Sequence, residues 1–389
     1  MPSISRIVLS ALAAASVAVA DCTFSATSTI QNAGDATALA SCSTVSGSIA
    51  IATGTTDDIA LSGVKVLNGN LIANTNNNMK RISASDLEQL NGEMNLKELT
   101  RLVAVDFPKL KKIDSIKWES LPNLQTIGFT ASVESAKKVD IQNTAVRSLE
   151  GINIQQAQTV KIANNQYINQ ISMQLGNVST ALDFSDNNKA VKVELPNLIW
   201  AANLTFRFCG SVSLPSLAKL NGSLGLINNG FETFSAPNLT EVGEALAVVG
   251  NEQLNNLTFP LLKKITDNLQ IANNSKLTDI EIDSLESIGG AFDISGNMTT
   301  VETPKLNNVK GAFNLQSSEN ITEACNFYQP LKDKKLILGK YLCKGKLVDP
   351  SVAGTTPKEQ GGSKASAAST LSATNGALGL AAMAAVFLL

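Results

Sequence analysis

The sequence predicts a mainly β protein, a right-handed parallel β-solenoid of about 13 rungs with disulfide-capped ends. Three features predict it: a period near 22 residues, an apolar-x-apolar unit in every period, and a pair of cysteines at each end of the repeating region. A fixed period stacks equivalent strands in register, so neighbours bury one continuous core that no single repeat could bury alone.

The chain has 389 residues, 31 basic against 33 acidic side chains, and no histidine. With 44% apolar residues the chain can fill a core, and with only 5% aromatics that core must be aliphatic. Near-neutrality gives no field for a polyanion, so no nucleic-acid partner is expected. The absence of histidine excludes Ser-His-Asp and Cys-His nucleophile systems and His-ligated zinc. Neither a cofactor, a metal nor a catalytic residue is assigned. Asparagine is abundant, 37 of 389.

Residues 1–20 carry one arginine, an apolar run from Ile7 and an Ala18-Val19-Ala20 ending, the pattern of a signal peptide cleaved before Asp21. Residues 21–48 form an N-terminal cap, in which Cys22 and Cys42 close a short loop. Residues 321–350 form the opposite cap, closed by Cys325 and Cys343. In an oxidising compartment the simplest pairing joins each set, each bond contributing roughly 3 kcal/mol. Residues 351–376 are a stalk rich in Ser, Thr, Gly and Ala, and 377–389 an uncharged tail too short to span a bilayer. Small residues, a polar spacer and such a tail make the glycosylphosphatidylinositol (GPI) signal. Ser366 is the first candidate for attachment, with Ser363, Gly362 and Asn375 as rivals.

Between the caps, residues 49–320 repeat as L-x-x-V-x-x-x-L-x-L-x-x-N, leucine-rich-like. The residue between the two apolar members of the L-x-L unit forms a column: Ala50, Ile72, Asn95, Lys117, Asp140, Lys161, Asp183, Thr205, Gly225, Ala247, Gln270, Asp293 and Asn314. Its flanking neighbours point inward on a strand, so the column points outward. Thirteen rungs at about 4.8 Å give a stack roughly 60 Å long. Some 22 residues per turn leave no room for a full helix in each, so helix is expected only near the caps. Two places beyond each strand comes a second column, Asn165, Asn187, Cys209, Asn229, Asn251, Asn274 and Asn297, whose amides are placed to bond backbone groups of successive turns. Cys209 stands where such repeats accept Cys for Asn, and reads as a buried free thiol.

Three surface features are candidates for function. Lys117, Asp140, Lys161 and Asp183 alternate in charge on successive rungs. Asp140 and Asp183 would stand roughly 10 Å apart, near the limit for paired glycosidase carboxylates, with Lys161 between them expected to lower both pKa values. Ile227, Val249, Ala247 and Ala272 make a small, apolar patch on the same face, a candidate for binding or self-association unless a cap segment or glycan covers it. Lys109, Lys111 and Lys112 read as a solvated turn. Sequons at Asn177, Asn203, Asn221, Asn238, Asn256, Asn273 and Asn320 are expected to carry glycan. An eighth, Asn297, is expected to be buried in the ladder and unmodified.

Leu121-Pro-Asn-Leu-Gln-Thr-Ile, Leu195-Pro-Asn-Leu and Ala236-Pro-Asn-Leu-Thr-Glu-Val, with the terminal cysteine pairs, signal peptide and GPI tail, resemble the receptor L-domain proteins of fungal cell walls, the extracellular mutant family with its sporulation-specific relatives. The resemblance runs from Asp21 to Leu389. It implies a GPI-anchored glycoprotein outside the plasma membrane or in the wall, needed for wall organisation and integrity, and it brings no catalytic residues. Its expected partners are wall polysaccharide or wall and membrane proteins, with the membrane reached through the lipid. The alternatives are a β-helix enzyme modifying wall polysaccharide and a secreted receptor-like ligand-binding protein.

Overall fold

A computed structural model describes residues 22–354 and 358–359. The expected signal peptide, the GPI attachment candidates Gly362, Ser363, Ser366 and Asn375, and the tail 377–389 lie outside the described residues. Among the described residues no helix is long and apolar enough to cross a membrane.

The expected solenoid is present. Every step of the outward column is a register pair in parallel strands, from Ala50 opposite Ile72 through Lys117 opposite Asp140 to Asp293 opposite Asn314. The flanking apolar residues are buried along the whole column, including Leu71 and Ala73, Trp118, and Phe313 and Leu315. Each cap adds a strand that the sequence did not reveal: Ser28–Ile30 pairs with Ile49–Ile51, and Tyr341–Lys344 with Phe313–Ser317. A second face of the coil carries shorter parallel ladders, such as Ala104–Asp106 with Thr126–Gly128. Among the described residues helix is confined to Ala33–Ala38, a short 3-10 turn, and Thr322–Asp333. The first is capped by the Asn32 side chain, which accepts from the Asp35 amide.

Bonds Cys22–Cys42 and Cys325–Cys343 lie at the two ends. The second ties the terminal helix to the last main-sheet strand, where Phe313 stacks between Phe292 and Tyr341. Tyr328 of that helix plugs the end of the core, with its hydroxyl on Thr303.

Each main strand ends in a sharp corner. From Thr75 to Asn273 the residue before each inward corner residue has a positive φ, between 52° and 71°. Only one member of this series, Gly250, is a glycine. Left-handed backbone costs a side-chain-bearing residue about 1 kcal/mol or more. The ladder column offsets it. The Oδ1 of Asn187, Asn229, Asn251 and Asn274 accepts the backbone amide of Asn165, Cys209, Asn229 and Asn251 respectively. The Nδ2 of Asn229, Asn251 and Asn274 donates to the Phe206, Leu226 and Val248 carbonyls. The bonds thus reach back to the preceding rung.

Asn297 departs from this expectation. Gly296 is not left-handed; it continues the strand Phe292–Gly296, so the corner is lost. Met298 turns inward instead, and the half-buried Asn297 amide donates to the Ser275 carbonyl at the surface. Conversely, Asn76 is a corner residue missed in the sequence, buried and bonded to the Ala52 and Thr55 carbonyls. Its spacing of four from Ile72 in the outward column was the available signal.

Asn251→Ala removes the acceptor of the Asn229 amide and the donor to Leu226, both buried, and is expected to lower stability by about 3 kcal/mol. The exposed Asn255→Ala is expected to change it by less than about 0.5 kcal/mol. Urea unfolding of the two variants measures the difference.

Candidate functional site

The outward column divides into two unlike halves. From Asn95 to Thr205 its side chains are polar and reach solvent. From Gly225 onward the face is largely closed: Ala247 is 2% exposed, Asp293 0%, Asn314 3% and Gln316 1%.

A segment of the chain itself closes the far end. After strand Leu347–Asp349 the backbone lies across the main sheet. Ser351 N donates to Gln316 Oε1, Asn314 Nδ2 to the Ser351 carbonyl, and Ala353 N to Asp293 Oδ1. Strand Lys358–Glu359 then pairs back antiparallel on Leu347–Asp349. Asn314 Nδ2 also bonds Asp293 Oδ1 at 2.7 Å, and Gln316 Nε2 bonds Asn314 Oδ1 at 2.8 Å. Burial raises the Asp293 pKa against these bonds. The stalk expected from residue 351 therefore begins as a packed part of the body, and the expected single long face is interrupted.

The small patch is reduced accordingly. Ala247 and Ala272 are buried beside taller in-register neighbours, Gln270 and Val249 respectively, so they present no surface. Ile227 and Val249, opposite one another, remain half-buried.

The open half contains a groove of about 510 Å³, whose walls include Gln142, Lys161, Asp183, Asn203, Arg207 and Glu244. Strand register places Lys161 between Asp140 and Asp183, with Thr205 the next rung. Among the described residues none of these charges forms a direct ion pair with its rung neighbour. Asp140 instead accepts from Gln142 Nε2 at 2.7 Å. Lys161 was expected to lower both pKa values, but burial outweighs it. Desolvation raises Asp140 against the Gln142 bond and the charges of Lys161 and Lys117. It raises Asp183 against a Ser185 hydrogen bond and the charges of Lys161 and Arg207. Asp183 Oδ1 is enclosed and has no hydrogen-bond partner among the described residues. These carboxylates are held against solvation, whereas Asn95 and Thr205 on the same column avoid that cost.

The other candidates lie elsewhere. Cys209 is buried and is a free thiol, its Sγ directed at the Phe184 and Arg207 carbonyls, and burial pushes its pKa up to about 12. Lys109 Nζ meets Asp86 at 2.7 Å in an exposed pair, and that bond holds the Asp86 carboxyl down at about 2. Of the sequons, Asn221, Asn238, Asn256, Asn273 and Asn320 are exposed and Asn177 half-buried. Asn203 differs, because both ends of its amide join rungs: Nδ2 donates to the Thr180 carbonyl and Oδ1 accepts from Ser223 N. No cluster of His, Cys, Asp and Glu that could hold a metal occurs among the described residues.

A family model described as Ecm33, a GPI-anchored cell wall organization protein, matches residues 3–40. The cell surface GPI-anchored protein of Arthroderma benhamiae is 37% identical over 351 residues, spanning 90% of this chain and 89% of its own length. Protein ecm33 of Aspergillus fumigatus is 37% identical over 355 residues, spanning 90% and 88%. Sporulation-specific protein 2 of Saccharomyces cerevisiae is 31% identical over 316 residues, 80% of this chain and 62% of that protein. No solved structure matches the chain.

Two outcomes are expected. A folded-state pKa raised above the unfolded value makes a carboxylate destabilising as pH rises through its range. Asp183→Asn should therefore stabilise the protein at pH 7 by about 1 kcal/mol, with the gain fading below about pH 4. Thermal unfolding against pH measures this. Glycopeptide mapping should find glycan at Asn221, Asn256 and Asn320 and none at Asn203.

Proposed function

The chain belongs to the Ecm33 family of GPI-anchored cell-wall organisation proteins, and on that premise we propose that it serves the fungal wall by display rather than catalysis. The signal peptide 1–20 directs it outward. The lipid, joined at Ser366 or at Ser363, Gly362 or Asn375, holds it at the outer face of the membrane or passes it to the wall. The solenoid then presents the open half of its main sheet to wall polysaccharide or to wall and membrane proteins.

The observation that carries this reading is a pair of half-buried carboxylates on the open face, Asp183 in the wall of the groove and Asp140 two rungs away beyond Lys161, both kept at a desolvation cost. Groups that cost stability where a neutral residue would serve are characteristic of function. The groove is polar, open along its length and built on a rigid sheet, which suits adhesion to an extended partner. A second reading, hydrolysis of wall polysaccharide, draws on the raised pKa of the same two residues, since a general acid needs it. Lys161 between them disfavours it, because the reaction needs one carboxyl protonated and the other charged at the scissile bond.

A deletion strain grown under wall stress, complemented with variants, tests the proposal. Full-length protein should rescue growth, and a chain ending at Gly362 should not. Asp183→Asn should rescue at least partly if the role is display. Complete loss of rescue together with loss of sugar release from wall glucan would favour the hydrolytic reading.

A further inference from the structure

We infer that the open half of the main sheet, from Glu93 to Arg207, is a binding site for an extended neutral polysaccharide lying along the stack of rungs, an assignment that rests on the display reading above.

The face offers the same polar geometry again and again. Two adjacent columns run along it in register. One passes Asn95, Lys117, Asp140, Lys161, Asp183 and Thr205. A second passes Lys97, Glu119 and Gln142, and later Ser185 and Arg207. Cations and carboxylates therefore recur at about 4.8 Å intervals, with the two signs nearly balanced along the face: Lys97, Lys117, Lys161 and Arg207 against Glu119, Asp140 and Asp183. A polyanion or a polycation would meet as much repulsion as attraction there. A polymer of hydroxyl groups, which both donate and accept, can satisfy lysine, arginine, carboxylate and amide alike.

Two further observations set this half apart. The far end of the same sheet is covered by Ser351 and Ala353, bonded to Gln316 and Asp293, and the rungs before it present the apolar Ile227 and Val249, so the polar array open to an extended ligand lies in the N-terminal half. The surface is also kept clear of the protein's own sugars. Residues 22–176 contain no N-x-[ST] sequon. The single sequon in the groove wall, Asn203, has its amide occupied by Thr180 and Ser223.

No exposed aromatic platform lies in the groove, so each sugar unit gains little and affinity must accumulate over several rungs. Binding should therefore depend steeply on chain length. That is what retention in a polymeric wall requires and what capture of a free sugar would not show.

The test uses the full mature protein released from cells by phospholipase, with β-1,3-glucan oligosaccharides of two and of seven units as probes. The heptamer should bind, and the dimer should bind at least tenfold more weakly. Lys161→Met should weaken heptamer binding about tenfold. Gln142→Asn creates a sequon with Asn143 and Thr144 and places a glycan in the groove. The fraction carrying that glycan should lose binding, and enzymatic deglycosylation should restore it. The inference is overturned by equal affinity for dimer and heptamer, by unchanged binding in Lys161→Met or in the glycosylated Gln142→Asn, or by preference for a polyanion such as heparin. Self-association blocked by the Gln142→Asn glycan, without glucan binding, would assign the face to a second copy of the chain. A wall-sensitive deletion strain whose protein binds no glucan would leave the display role standing and remove this ligand. Normal growth of the strain would remove the role itself.

Discussion

At the end of ten successive main-sheet strands, from Thr75 to Asn273, the backbone enters the left-handed region for one residue, and the next side chain turns inward. That corner is strained wherever the left-handed residue carries a side chain, as at Thr75 and Phe208. At Asn76, Asn165, Asn187, Asn229, Asn251 and Asn274 the asparagine beyond it supplies an acceptor and a donor to groups that would otherwise be buried unpaired, while Leu99, Leu121 and Thr144 fill the same inward place without that ladder. The corner fixes where each strand ends, and so where the next begins, and so the register of the whole stack. Where the corner fails, at Gly296, the strand runs on and Met298 takes the inward place. Cys209 is a milder defect. Its amide still reaches Asn229, while its thiol offers only long contacts to the Phe184 and Arg207 carbonyls.

Register in turn makes the surface. Because equivalent residues stack at one spacing, a single polar residue per repeat becomes a continuous column, and its chemistry is that of an array. The same rule gives opposite results at the two ends of one sheet. Around Asp293, Asn314 and Gln316 the column is bonded to the chain's own backbone and buried. Around Asp140, Lys161 and Asp183 it is left open, and two carboxylates bear a desolvation cost there. A sheet that evolution needed only for packing could have carried threonine or asparagine throughout, as it does at Asn95 and Thr205.

Much of this was legible in the sequence because the repeat is one-dimensional. The period, the inward pairs and the outward column follow from alternation along a strand and from equal spacing, with no knowledge of distant contacts. The cysteine pairs at the ends were visible for the same reason. Periodicity gave no access to the departures from it. The added strands Ser28–Ile30 and Tyr341–Lys344 lie in cap segments that do not repeat. The misplacement of Asn297 depends on the backbone angle of one glycine, which the letter does not disclose.

The sequence by itself determined the solenoid, its register and which residues stand outward, since these depend only on the order and spacing of apolar and polar side chains. The tertiary structure alone decided which outward residues are available. Exposure is set by contacts between segments far apart in the chain: Ser351 and Ala353 cover the far end of a face whose strands lie tens of residues earlier, and burial overrides Lys161 in setting the acidity of Asp140 and Asp183. Desolvation depends on everything that surrounds a group, and no local pattern in the chain encodes that sum.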